Sequence, residues 1–283
     1  MKLIKPSVEI IDQKPEIQGI YEAIEEAGRT CYRSSAKYDY FDLSDRPNKP
    51  IDRYLNNGMN LTKEEAFEKG LVVRKSSTAE DFVNRMIKSG HGAMLEHGTI
   101  YLLLPENSYN NEIHSHYMYN PYSRCKDNDL GEVFITTNYR VIVENGWYED
   151  LQYVCEPTEY HEKRVTVKFT TQIAITREAN RHRVNSMAES STRYCNYSKD
   201  KFGSEISINL PTFIDEAELD MEYPSFRGLC HAIYDEEDDV IFSALTYWRF
   251  ANLACEYSYM NLIRLGWRPE QARTILPLDT NSE

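Results

Sequence analysis

Residues Arg177 to Gly203 read REANRHRVNSMAESSTRYCNYSKDKFG, a basic island in a chain of net charge -13. Arg177, Arg181, Arg183, Arg193, Lys199 and Lys201 stand against Glu178, Glu189 and Asp200. Positive charge kept locally against the global sign points to a specific anionic ligand. Upstream, Val165, Val167, Phe169, Thr171, Ile173 and Ile175 alternate with Thr166, Lys168, Thr170, Gln172 and Ala174. That period of two predicts a strand running toward Arg181-His182-Arg183. On extended backbone both arginines would share one face, offering planar forks to a phosphate or a delocalised anionic ring. MAESSTRY then reads as a helical turn or short helix carrying Glu189, Ser190, Ser191, Thr192 and Arg193. The competing reading is a solvated charge cluster, since exposed arginine is the norm.

Working outward, residues 1–12 read as a first strand, and Ile17, Ile20, Tyr21 and Ile24 have helical spacing. Residues 34–62 look like an irregular insertion, rich in Asp, Asn, Tyr and Pro. Thr78 to Asp81 starts a helix that buries Phe82, Met86 and Ile87, followed by a strand at Thr99 to Leu104. Residues 105–131 read as a polar loop holding His114-Ser115-His116; Phe134 to Val143 is a strand and Trp147 to Tyr160 an irregular stretch. After the basic island come a short strand (Ile206 to Leu210), an acidic linker (Pro211 to Pro224) and an acidic helix start at Asp235 to Asp239. A long helix from Val240 to Leu265 has Phe242, Leu245, Trp248, Leu253, Tyr257 and Leu262 as core candidates; Gly266 stops it and Pro269 opens the next helix. The fold class expected is α+β, a twisted, mostly antiparallel sheet flanked by helices, in a single domain over 1–283.

At 283 residues, 41% hydrophobic and 27% charged, the chain has ample length for a core and the composition of a globular protein. The acidic balance argues against a nucleic-acid groove. No apolar run is long enough to span a membrane, and the N-terminus lacks a signal-peptide pattern. Six dispersed cysteines without a CxxC pair read as reduced thiols of a cytoplasmic protein.

Arg181 to Tyr194, RHRVNSMAESSTRY, resembles the signature of the flavin-dependent thymidylate synthases: Arg-His-Arg, two residues, Ser, four residues, Ser, one residue, Arg-Tyr. Arg181, His182, Arg183, Ser186, Ser191, Arg193 and Tyr194 meet every specified position. Three further stretches are similar to landmarks of that family. Arg29-Thr30-Cys31-Tyr32 matches an Arg-x-Ser/Cys-Tyr element. His91, Glu96 and His97 match a His-Gly-His, two residues, Pro-Phe-Glu-His pattern in which Ser89, Ala93 and Met94-Leu95 depart from the usual residues. Glu270 to Pro277 contains the Glu-x-Ala-Arg and Leu-Pro landmark with Arg273.

The resemblance implies reductive methylation of dUMP to dTMP, with 5,10-methylenetetrahydrofolate supplying the carbon and NADPH reducing FAD. It implies that Arg181, His182, Arg183, Glu189 and His91 contact FAD. Glu178, Arg181, Glu189, Ser190, Ser191, Thr192, Arg193 and Arg273 would contact dUMP. Arg193 and Ser191 would sit at the chemistry. It also implies a homotetramer. No metal is called for: His91, Glu96 and His97 read as core or pocket residues, because spacing places no third ligand. Cys31 reads as packing, since nothing nearby in sequence lowers its pKa. Family members continue beyond the Leu-Pro landmark, so the chain reads as C-terminally short. A non-catalytic paralogue that binds flavin or nucleotide is therefore the alternative. An arginine-rich nucleic-acid module is a third reading, disfavoured by net charge.

Overall fold

The apolar spacing at Ile17, Ile20 and Ile24 becomes helix α1 (Ile17–Tyr32) in the computed structural model of the chain, and Ile20 and Ile24 are completely buried. The structure describes residues 1–42, 62–69, 72–76, 78–105, 112–182, 184–199, 203–215, 219, 225–234 and 243–283. These form two compact units. One comprises Asp12–Arg29 and Ser34–Thr166; the other comprises Met1–Ile11, Thr30–Arg33 and Val167–Glu283. The chain is a mixture of helices and small, mainly antiparallel sheets.

The first of these units is built around a three-stranded antiparallel sheet. Strands β5 (Thr99–Leu104) and β6 (Arg124–Asp127) flank β7 (Val133–Asn138). Strand β7 is paired on both sides and buried along its whole length. Ile20 and Ile24 pack with Phe82, Val83, Leu95, Ile100, Leu102, Ile135 and Ile142 in one core. Phe82 and Met86 lie on the buried face of α3 (Ala79–Ser89), as their spacing predicts, and Gly90 ends that helix in the left-handed conformation at φ 71. Between them α2 (Lys63–Glu68) begins with a capping box, Thr62 and Glu65 satisfying each other's backbone amides. Strands β3 (Tyr38–Asp42) and β4 (Val72–Ser76) form an antiparallel pair. The carboxylate of Glu25, buried in α1, accepts from Thr78 Oγ1 at 2.7 Å, from Arg29 Nε at 2.7 Å and from the Ser76 hydroxyl. A buried charge with three donors avoids the cost of an unpaired one.

The second unit holds two small sheets. Strand β1 (Lys2–Ile4) pairs in parallel with β9 (Ser207–Asn209). Strand β8 (Thr166–Gln172) lies between β2 (Ser7–Ile11) and the C-terminal β10 (Asn281–Ser282). The Ile208–Thr280 bridge and the Asn209 N–H to Asp279 O bond of 2.8 Å join the sheets. A second core gathers Cys195, Tyr197, Ile206, Ile208, Tyr259 and Ala272. Tyr259 lies on α9 (Ala244–Arg264), which follows α8 (Phe226–Tyr234) and begins at the Ser243 cap. Helix α9 ends in a paired turn: Gly266 N–H bonds Ile263 O and Trp267 N–H bonds Leu262 O, with Gly266 at φ 96. Pro269 then opens α10 (Pro269–Ala272) at its first position.

Several expectations change. The N-terminal strand is two strands, interrupted at Lys5-Pro6, because proline cannot donate to a ladder. The strand expected through Val143 stops at Asn138, whose side chain caps α6 (Tyr139–Asn145) by accepting from Val141 N–H. The polar loop expected at 105–131 contains β6 and a helix, α5 (Glu112–Met118). His114 is buried there, and the His116 ring stacks on Trp147 at 4.8 Å. Residues 148–153, expected to be irregular, form a 3-10 helix. Leu253 is buried as expected, whereas Tyr257 is exposed. Asp235 to Asp239, Phe242 and most of Pro211 to Pro224 lie outside the described residues.

Gly98 shows how tightly the first core is filled. A Cβ there would stand 2.7 Å from Ile24 Cδ1 and 2.8 Å from Ile20 Cγ2. Gly98→Ala should therefore lower stability by about 1–3 kcal/mol through overpacking, read as a lower midpoint in urea denaturation.

Candidate active site

The alternation that predicts a strand from Val165 to Ile175 is overtaken at Ile173, where α7 (Ile173–Ala179) begins. The first helical amides need partners, and the C-terminal segment supplies them: Ile173 N–H bonds Thr280 O and Ala174 N–H bonds Leu278 O. Ile173 and Thr176 are buried at helical spacing, while Ile175 is 52% exposed. Arg181 and His182 thus follow a helix rather than close a strand; the face expected to be shared by Arg181 and Arg183 lies partly outside the described residues.

The helix places Thr176 and Asn180 on one side, four residues apart. Both donate to Glu189: Thr176 Oγ1 to Oε1 at 2.5 Å and Asn180 Nδ2 to Oε2 at 2.9 Å. Ser282 Oγ adds a third donor at 3.3 Å. Beyond Glu189 the signature is held by its backbone. Ser190 N–H bonds Glu283 O at 2.9 Å, and its buried hydroxyl donates to Thr30 O at 3.2 Å. Ser191 N–H bonds Cys31 O at 2.9 Å. The expected helical turn arrives late, as one turn in which Cys195 N–H bonds Ser191 O. Residues Ser186 to Ser191 are neither helix nor strand.

The polar groups that this backbone carries outward are Ser191, Thr192 and Arg193. Ser191 Oγ accepts from Arg193 N–H at 3.3 Å. Arg193 is exposed, its guanidinium 6.0 Å above the Tyr194 ring. Arg273 Nη1 donates to Thr192 Oγ1 at 3.4 Å, bringing two stretches 81 residues apart to one place. Arg181 and Glu178 form an exposed ion pair of 3.0 Å on α7. His182 is exposed, and Arg183 lies outside the described residues. Cys31 sits beside this segment. Burial pushes its thiol pKa up, against the lowering effect of the Glu189 backbone N–H. A neutral, half-buried thiol is a packing group and not a nucleophile.

The other histidine landmark lies in the first unit. His91 is exposed and immediately precedes α4 (Gly92–Leu95). Glu96 accepts from Arg140 at 2.6 Å. His97 Nε2 is buried without a hydrogen-bond partner among the described residues. Among the described residues no three His, Cys, Asp or Glu side chains gather as a metal site, and no described helix is long and apolar enough to cross a membrane.

Sequence reasoning missed the contributions of Thr176, Asn180, Ser282 and the Thr30–Cys31 carbonyls. The spacing of Thr176 and Asn180 is a legible signal once this segment is read as helix. The carbonyls carry no side-chain signal at all.

Residues 157–283 match the family model Thy1, thymidylate synthase complementing protein. Among solved structures, the chain is similar to the crystal structure of a UMP/dUMP methylase PolB from Streptomyces cacaoi bound with 5-Br dUMP. That similarity is 14% in identity with a TM-score of 0.32, over 100% of this chain and 72% of that one. No curated protein matches the chain.

Two predictions follow from these geometries. Glu189→Ala removes the acceptor shared by Thr176, Asn180 and Ser282 and should cost about 1 kcal/mol of stability, measured by urea denaturation. An unchanged midpoint would show that these bonds do not hold the segment. Burial lowers the His97 pKa below the ordinary 6.5, outweighing Glu96. The folded state then binds fewer protons than the unfolded one just below that value, so stability is present above it and falls as pH drops. His97→Gln should flatten the loss of Tm between about pH 7 and pH 5.

Proposed function

We propose that this chain, whose residues 157–283 match the thymidylate synthase complementing protein model, methylates dUMP reductively to dTMP. The observation that carries the reading is the meeting of its two arginine landmarks, where Arg273 bonds Thr192 beside the exposed Arg193. A pair of guanidiniums flanked by hydroxyls suits a nucleotide monophosphate, whose phosphate takes charge-assisted bonds.

The roles of the chain's own groups follow from their chemistry. Arg193 binds and orients dUMP through its phosphate or a uracil oxygen. Ser191 already accepts from Arg193 N–H, so its hydroxyl proton is available to a ligand oxygen. Glu189 keeps lone-pair capacity for a sugar hydroxyl while holding α7 and the signature together. Ser190 donates inward, so it contributes backbone position more than a hydroxyl contact. Glu178 reaches a ligand only when its pair with Arg181 opens.

The donor set also fits an anionic cofactor. Arg181 is an exposed cation and His182 an exposed ring beside it, and a solvent-exposed ion pair is weak enough to yield to a phosphate. Arg181, His182, Arg183, Glu189 and His91 are the residues we assign to FAD. When bound, FAD supplies the reducing chemistry, replenished by NADPH, with 5,10-methylenetetrahydrofolate as carbon donor. We extend the proposal to one catalytic domain over 1–283, with the sheet-and-helix architecture of a flavin-dependent synthase, acting as a cytoplasmic homotetramer.

The test is dTMP formation from dUMP, methylenetetrahydrofolate, NADPH and FAD by the full chain. Product formation supports the reading; dUMP binding without product would turn it into a binding paralogue. Arg193→Ala should weaken dUMP binding by about 2 kcal/mol, roughly 30-fold. Unchanged affinity, measured by calorimetry, would remove Arg193 from the site.

A further inference from the structure

Thr30 to Arg33, the end of α1 and the residue after it, belong to the second unit and each touches a different part of it. Thr30 O accepts the Ser190 hydroxyl at 3.2 Å and Cys31 O accepts Ser191 N–H at 2.9 Å. The Tyr32 ring packs on Tyr194 with centroids 5.7 Å apart and planes inclined at 52°. Arg33 lies 5.6 Å from the Tyr197 ring and donates to Asn281 O at 2.8 Å. Arg33 holds a left-handed φ of 44, which a side-chain-bearing residue rarely adopts. Such a conformation persists only where its surroundings over-determine it.

The Tyr32 contact reaches furthest into the site. Tyr194 is 64% exposed, so little else restrains its ring from the solvent side. The Arg193 guanidinium lies over that ring. The order is then Tyr32, Tyr194, Arg193: a half-buried ring supports an exposed ring, which supports a cation. Cation–π and ring–ring contacts of this kind favour one orientation out of many that a long exposed arginine would sample.

We propose that Tyr32 is a positioning residue for Arg193, acting through Tyr194, and that Thr30 and Cys31 set the backbone register of the same segment. The link to nucleotide binding rests on the function proposed above; the positioning of the segment does not.

Two readouts separate these claims. The first is hydrogen exchange of the 186–197 segment in the full chain, compared with that of α9. Tyr32→Ala should speed exchange in that segment about tenfold and leave α9 unchanged. Tyr32→Phe, which keeps the ring, should restore the wild-type rate. Tyr194→Ala, at an exposed position, removes the same contact without altering α1; it should reproduce the acceleration, and combining it with Tyr32→Ala should add little. The second readout is dUMP affinity by calorimetry, expected to fall about fivefold in Tyr32→Ala and to recover in Tyr32→Phe, with Tm held. Wild-type exchange in both alanine variants, or failure of Tyr32→Phe to restore it, overturns the proposal. If the wild-type chain binds no dUMP, the function assignment fails, while the exchange comparison still decides whether Tyr32 positions the segment.

Discussion

The carboxylate of Glu189 is the constraint on which the candidate site depends. Thr176 and Asn180 reach it from one helix, and Ser282 reaches it from the C-terminal strand. These donors fix where the signature begins its course away from α7. From there the backbone amides of Ser190 and Ser191 are bonded in turn, to Glu283 O and Cys31 O. Without these partners, residues 186–191 would have neither helix nor sheet to hold them. Their path is held because side chains and carbonyls from elsewhere in the unit satisfy it.

The C-terminal residues have a structural part as well. Leu278, Thr280 and Glu283 give carbonyls to Ala174, Ile173 and Ser190. Asp279 takes the Trp248 indole N–H at 2.7 Å and the Gln172 amide at 2.8 Å. Asn209 and Asn281 bond each other while buried. The last turn of chain therefore completes the start of α7, and with it the face that presents Thr176 and Asn180. Charge follows the same logic. Glu25 and Glu189, both inside hydrogen-bonded surroundings, serve the fold. Arg193 and His182 on the basic island, and Arg273 after α10, are exposed.

Much of the fold was legible from periodicity. Helix α1, helix α3, strand β5, helix α9 and the Gly266 stop all follow from spacing and from one glycine whose φ suits no other residue well. The errors share a cause. At Gln172–Ile173 and at Asn138–Tyr139 a strand passes directly into a helix with no glycine or proline between. The β-branched Ile173, Ile175, Val141 and Val143 suit a strand by propensity. Partners at the helix start overrule that preference: the distant Thr280 and Leu278 carbonyls in one case, the local Asn138 side-chain cap in the other. Local pattern cannot report a carbonyl more than a hundred residues away.

The residue types of Arg177 to Gly203 by themselves marked a basic island in an acidic chain, and the spacing within Arg181 to Tyr194 carried the resemblance to a family signature. Tertiary structure decided which of those residues face inward and which outward. It turned Ser190 and Glu189 into supports and brought Arg273 to Thr192, since only the folded chain brings the end of α1, the signature and the C-terminal strand within hydrogen-bonding distance.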